Sequence, residues 1–323
     1  MNKRHHPKLT VLMSVYNGMP YIRDAVRSIL EQNFHDYVFL IINDGSTDGT
    51  ENYLDTLDDS RLRVIHQRNL GLGAALNVGL SLIETEFIAR MDADDISLPN
   101  RLSAQFEMMV SEPDLVMLGC SLAFTFDGVK YGYAPPMPTS HNQIVSVLRA
   151  GAHGISHPTI FCRTAAIQQA GGYRIQGVGQ DWDLFLRMSE IGRVGNLAEV
   201  HHLMRLHQES NVWKSAEKSI RGNAYALACA RYRQNGQPEP DVATFFAQWH
   251  DRPSLQRMEA FCRARSDGLY RQGVLCMLKG ERLKGFCCLG MATISYPPKL
   301  IMRLRRIGMA RSLRLSGHGR GTM

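Results

Sequence analysis

The chain has 323 residues, 44% of them hydrophobic, enough for one large domain or a domain with an appendage. Its formal charge is +7, but Lys299, Arg303, Arg305, Arg306, Arg311, Arg314 and Arg320 put seven bases and no acid in residues 299–323, and the other 30 bases match the 30 acids. That neutral body excludes a charge-driven nucleic-acid-binding domain, and seven scattered cysteines without a CxxC pair point to buried, reduced thiols in the cytosol rather than a disulfide framework.

Residues 9–16 are a β-rich run, turned by Asn17, Gly18 and Pro20. Ile22, Ala25, Val26, Ile29 and Leu30 then follow helical spacing. Residues 37–42 read as a second buried strand, ended by Asn43-Asp44-Gly45. Residues 46–48 can cap a helix, with Glu51 three positions after Asp48. Residues 62–66 give a third strand, and Gly71 and Gly73 lead into a helix over 74–83. The run FIARM, residues 87–91, is a fourth buried strand that ends in Asp92, Asp94 and Asp95. A helix follows from Pro99 to about Val110, with proline suited to a first turn. Residues 115–120 are a fifth strand. This alternation predicts an α/β fold with mostly parallel strands and helices on both faces. Ligands of such sheets bind at the carboxyl ends of the strands. Asp44 and Asp92 each directly follow a strand, so both should project from that edge.

The middle of the chain is less regular. Residues 122–126 and 129–133 form a hairpin about Asp127-Gly128. A proline loop, a helix over 144–148, a strand over 159–163 and a helix over 164–169 follow, the last closed by Gly171-Gly172. Asp181-Trp182-Asp183 opens another helix. Residues 215–232 and 255–288 read as helices, and Tyr296-Pro297-Pro298 sets off the basic tail. No run reaches the ~20 apolar residues of a spanning helix, and no secretory apolar region follows the first residues.

Three acids within four residues at the end of a buried strand repel one another unless a cation lies between them. They form a hard-oxygen site suited to Mg²⁺ or Mn²⁺ with positions left for phosphate. Other motifs fail on context. The run DGSTDGTENYLD resembles a calcium loop at first, but it ends in Asp55 and follows a strand. Gly71-Leu72-Gly73 lacks the third glycine of a dinucleotide loop. No GK[ST] occurs, and Gly154 and Pro158 argue against a helix carrying His153 and His157 as zinc ligands.

The segments TVLMSVYNG, IINDGSTDGT, NLGLGAALNVGL, ARMDADDISLPNRL, HPTIFCR, GGYR, QDWDLFLRM and MRLHQES, in this order over residues 10–210, resemble the family 2 glycosyltransferases, inverting enzymes with the GT-A fold. The resemblance implies a nucleotide-diphosphate sugar at the carboxyl edge of the sheet. Tyr16 and Asp44 match positions that hold base and ribose, Asp92 the nucleotide-side acid of the DxD, and Asp94 the acid that binds Mn²⁺ or Mg²⁺. Asp95 either supports those ligands or caps the next helix. Asp181 matches the general base that deprotonates the acceptor hydroxyl, although Gln180 stands where the family often has Glu. Trp182 either stacks on a sugar or fills the core. His207 matches the histidine of an RxH motif, a third metal ligand or phosphate contact, and Arg205 pairs with phosphate oxygens.

The expected organisation is a GT-A catalytic domain over residues 1–214, a helical extension over 215–296 and a basic tail over 297–323. The expected acceptor is a lipid-linked saccharide of surface polysaccharide or lipopolysaccharide synthesis. Leu300, Leu304 and Ile307 share a helical face flanked by Arg303, Arg305 and Arg306, which suits an anionic membrane and a peripheral place on the cytoplasmic face of the inner membrane. Two other classes stay open. A nucleotidyltransferase would also use Asp-bound metal, but SVYNGMP lacks its Gly-rich basic loop. A non-catalytic sugar-nucleotide-binding module would not need Asp92, Asp94 and Asp181 together.

Overall fold

Leu9–Val15 (β1) is buried at every residue, because a strand lies on each side and helices cover both faces. In the computed structural model, which describes residues 6–126, 129–133, 137–174, 179–207, 216–249 and 254–297, β1 pairs in parallel with Tyr37–Asp44 (β2) and Phe87–Asp92 (β4). Leu62–Gln67 (β3) extends the parallel half beyond β2. Beyond β4 the sheet continues through Phe161–Arg163 (β8), Leu115–Phe126 (β6), Arg193–Arg205 (β9) and Ile96–Ser97 (β5). Val129–Tyr133 (β7) pairs with β6 as the second arm of the expected hairpin, whose Asp127-Gly128 turn lies outside the described residues. β8 is antiparallel to both neighbours, while β6 and β9 run parallel. The sheet is therefore mixed but mainly parallel.

Strand periodicity divides the core. Leu12, Leu40 and Ile42 point to one face, and Val11, Met13, Phe39 and Ile41 to the other. Ile22–Leu30 (α1) and Arg101–Ser111 (α4) cover the second face. Leu72–Ser81 (α3), Gln180–Ile191 (α7) and Ala216–Gln234 (α8) cover the first. Short helices Thr50–Asp55 (α2), His141–Arg149 (α5) and Thr164–Gln169 (α6) fill the connections. Tyr225, Ala226 and Cys229 of α8 share one core with Leu184 and Met188 of α7, so the helical extension begins inside the packing of the sheet domain.

Several elements depart from the sequence reading. β9 has 13 residues and no expected counterpart, and Val242–Trp249 (α9) is likewise additional. The single helix expected over 255–288 is two, Ser254–Leu278 (α10) and Arg282–Ser295 (α11), because Gly280 turns the chain at φ +79°. Pro99 lies just before α4 rather than inside it. The basic tail from residue 298 lies outside the described residues. No described helix is long and apolar enough to cross a membrane.

Candidate active site

Register brings the candidate residues to one edge. Ser14 lies opposite Asp92 and Val15 opposite Asn43, so β1, β2 and β4 end level. Tyr16, Asp44 and the Asp92–Asp95 turn therefore emerge side by side, as the sequence predicts. Tyr16 is 55% exposed at the end of β1. The loop behind it is tied to the loop after β2: Asn17 N–H donates to Ser46 Oγ (2.9 Å), Gly18 N–H to Thr50 Oγ1 (2.9 Å) and Met19 N–H to Asp48 Oδ2 (2.8 Å). Asp44 is buried, and its carboxylate accepts from Gln67 Nε2 (2.7 Å), Leu70 N–H (2.9 Å) and Gly71 N–H (2.8 Å). It closes the loop between β3 and α3 along the same edge.

The acidic turn is held from two sides. After Asp95 the chain enters β5, which pairs antiparallel with β9, Ile96 opposite Leu203 and Ser97 opposite His202. That pairing delivers the end of β9 to the acids. Asp95 Oδ1 accepts from Arg205 N–H (2.9 Å), and Asp95 Oδ2 lies 2.8 Å from His202 Nε2. Burial, with the charges of Arg101 and Arg90, holds His202 well below the usual imidazole range. Arg205 Nε donates to the Asp94 carbonyl (2.9 Å) and its Nη2 to Asp24 Oδ2 (3.0 Å). His207 Nε2 lies 2.9 Å from Asp94 Oδ2, its ring 4.6 Å from that of Tyr21.

Beneath the turn, the buried Arg90 guanidinium pairs with Asp92 Oδ1. Arg101, also buried, donates to the carbonyls of Arg90 and Pro158. One ligand oxygen each of Asp92, Asp94 and Asp95 lies within 4.8 Å of the others. Burial and the charges of Asp94 and Asp92 push the Asp95 carboxyl well above the usual range. Asp92 is raised by burial, against the pull of Arg90, and by the charges of Asp94 and Asp181. Asp181 therefore lies within electrostatic reach of the turn, at the start of α7, where Gly179 (φ +88°) lets the backbone pass against Gly222 of α8. Arg90 offsets part of the repulsion among these acids, and a cation between them would offset more.

The model of the family described as Glycosyl transferase family 2 matches residues 10–169. EpsE of Bacillus subtilis is 30% identical over 217 residues, covering 64% of this chain and 76% of EpsE. The chain belongs to glycosyl transferase family 2. The amylovoran biosynthesis glycosyltransferase AmsE of Erwinia amylovora is 29% identical over 209 residues, 63% of this chain and 77% of AmsE. A galactosyltransferase of Escherichia coli, named for UDP-Gal and alpha-D-GlcNAc-diphosphoundecaprenol, is 28% identical over 214 residues, 63% of this chain and 76% of the relative. Among solved structures, S. aureus TarS 1-349 in complex with UDP-GlcNAc superposes with a TM-score of 0.59 at 16% identity, over 90% of this chain and 92% of that one. The mannosyltransferase PcManGT of Pyrobaculum calidifontis, in complex with GDP-Man and Mn²⁺, gives 0.54 at 17%, over 90% and 86%. The fold is thus GT-A, and the protein is a glycosyltransferase.

Within this glycosyltransferase the structure separates neighbours that the sequence left ambiguous. Trp182 is core: it is buried, donates to the Leu148 carbonyl (3.2 Å) and packs on His153. Asp95 is buried between His202 and Arg205 and caps no helix, since Asn100 precedes α4. Asp183, two residues after Asp181, faces inward to Arg187 (2.6 Å) and Arg174 (3.1 Å). Gln180 is buried, with no hydrogen-bond partner for its Oε1 among the described residues. Sequence reasoning missed Arg90 and His202. The signal for Arg90 was a charge inside an apolar strand, which is costly unless paired.

Proposed function

We propose that this glycosyltransferase moves a sugar from a nucleotide-diphosphate donor to a hydroxyl of a lipid-linked saccharide, with inversion, in polysaccharide synthesis. The observation that carries the reading is the convergence of Asp92, Asp94, Asp95 and His207 at the sheet edge with Asp181 in electrostatic reach. The galactosyltransferase relative is named for a diphosphoundecaprenol-linked acceptor, and AmsE for polysaccharide synthesis.

The donor set fits a hard divalent cation: clustered carboxylates with an imidazole beside Asp94, and a buried His207 Nδ1 without a partner among the described residues. Asp94 and His207 would hold Mn²⁺ or Mg²⁺, with Asp92 on the nucleotide side. A bound cation supplies Lewis-acid neutralisation of the diphosphate leaving group. Tyr16, exposed at the end of β1, meets the base, and Asp44 meets the ribose from the loop it holds closed. Arg205 fixes the acidic turn through the Asp94 carbonyl and presents positive charge toward the phosphates. Asp181 takes the proton from the acceptor hydroxyl as that oxygen attacks the anomeric carbon. The C–O bond to the diphosphate breaks on the opposite face, and one displacement inverts the centre.

Nucleoside-diphosphate release from a panel of donors, with and without Mn²⁺ or Mg²⁺, tests this. Asp94→Asn should lose most turnover and weaken metal-dependent donor binding with the fold intact, since electrostatic stabilisation is usually the largest catalytic contribution. Undiminished wild-type turnover in excess EDTA, or pyrophosphate as the product, would overturn it.

A further inference from the structure

The helix α11 is built inside out. Its packing face carries small residues: Gly285, Cys288 and Ala292 are buried against α10. Gly285 and Gly273 of α10 approach so closely that a Cβ on Gly285 would lie 3.1 Å from the Gly273 carbonyl oxygen. Ser266 Oγ of α10 donates to the Ala292 carbonyl (2.7 Å). Leu289 also packs against Gly273 of α10, but the other four large apolar side chains point the other way. Leu283 is 85% exposed, Phe286 63%, Met291 43% and Ile294 79%.

At 100° per residue these four positions, with Cys287 and Gly290, fall in one continuous sector opposite the packing face. No charged residue interrupts it. Arg282 and Lys284 stand at its two borders. Single exposed apolar side chains need no explanation, but a contiguous apolar face does.

We propose that this face of α11 lies in the surface of an anionic lipid bilayer, with Phe286, Leu283 and Ile294 below the headgroups and the bordering bases among them. Three features favour lipid over a second copy of the chain. The helix has 14 residues, too short to span a bilayer but long enough to lie in its surface. Four side chains on one helix fall short of the roughly 800 Å² per partner of a stable protein interface. Charge also complements anionic lipid: residues 279–323 hold ten of the 37 bases and one of the 30 acids, and that acid, Glu281, pairs with Lys284 (3.2 Å). The inference deepens the lipid-linked acceptor reading, because a surface-bound enzyme meets an acceptor confined to the bilayer.

Sedimentation of the full-length protein with anionic vesicles, at low and at high salt, tests it. Attraction by bases is screened by salt, whereas apolar insertion is not. The wild-type protein should keep a salt-resistant bound fraction. Leu283→Gln/Phe286→Gln/Ile294→Gln, all solvent-facing, should lose that fraction while turnover on a water-soluble acceptor stays unchanged. A Phe286→Trp variant should have its added fluorescence quenched by lipids with brominated acyl chains. Equal partition of wild type and triple variant at high salt, complete release of the wild type by salt, or no quenching would overturn the inference. So would a concentration-dependent dimer that the triple variant abolishes, which would give the face to a second copy. Donor turnover reports separately on the catalytic reading, so either can fail alone.

Discussion

Asp181 and Asp183 share one helical turn and do opposite things. Asp183 is buried and bound by two arginines, whereas Asp181 is partly exposed and its charge adds, least among the causes, to the rise of Asp92. A general base needs access to its proton donor, which only Asp181 has. Asp181→Asn should lower kcat by roughly 10²- to 10⁴-fold. The KM for the donor should barely move, because the base acts on the acceptor. Steady-state nucleoside-diphosphate release, with donor and acceptor varied in turn, separates these effects. A rate that survives at saturation while donor binding collapses would remove Asp181 from this role. Legibility at this scale follows solvation. The place of Asp44 and Asp92 at one sheet edge is readable because each directly follows a short apolar run that forms a strand. His202 is not, because its partner Asp95 lies 107 residues away in the chain, and Arg90, paired with Asp92 two residues on, is marked only by its charge inside an apolar strand.

The elements nearest the site divide in the same way. The parallel half of the sheet is legible because β1, β2 and β4 are short, mainly apolar runs bounded by turn residues, and helical periods alternate with its strands. β9 is not, because three shifts of register against β6 break the alternation that would reveal it. That bulged strand nonetheless carries His202 and Arg205 to the acids. Helix α7 shows how an element holds a site. Its first turn presents Asp181 outward, while Asp183 binds Arg187 across one turn, and Arg187 donates to the Gly172 carbonyl (2.8 Å) and to that of Ala170. Asp183→Asn leaves the Arg187 charge buried without its counter-ion. Breaking a buried pair in this way costs about 3 kcal/mol or more. Urea unfolding should show a lower midpoint with an unchanged m-value. A midpoint equal to wild type would mean that the pair contributes nothing net and that packing alone holds α7.

At the scale of the whole molecule, charge is segregated from chemistry. Every acid and histidine proposed for the reaction lies between Asp44 and His207, and the seven unopposed bases lie beyond residue 298. Net charge of one sign at one end orients a protein against an oppositely charged surface without altering its site. Each base close to an anionic bilayer contributes about 1 kcal/mol, falling off within a Debye length of roughly 8 Å at physiological ionic strength. On the membrane reading proposed above, seven such bases would bind reversibly, and an apolar helix face just upstream would make the contact last. Removing residues 299–323 should therefore leave turnover on a short water-soluble acceptor near the wild-type rate. Turnover on the same saccharide anchored by a lipid in anionic vesicles should fall severalfold, and raising the salt should bring the full-length protein down toward the truncated one. The pair of rates decides between two origins of any loss. A fall on both acceptors would mean that the tail supports the catalytic body. Equal rates for both proteins on the anchored acceptor would mean that the basic segment takes no part in reaching the membrane.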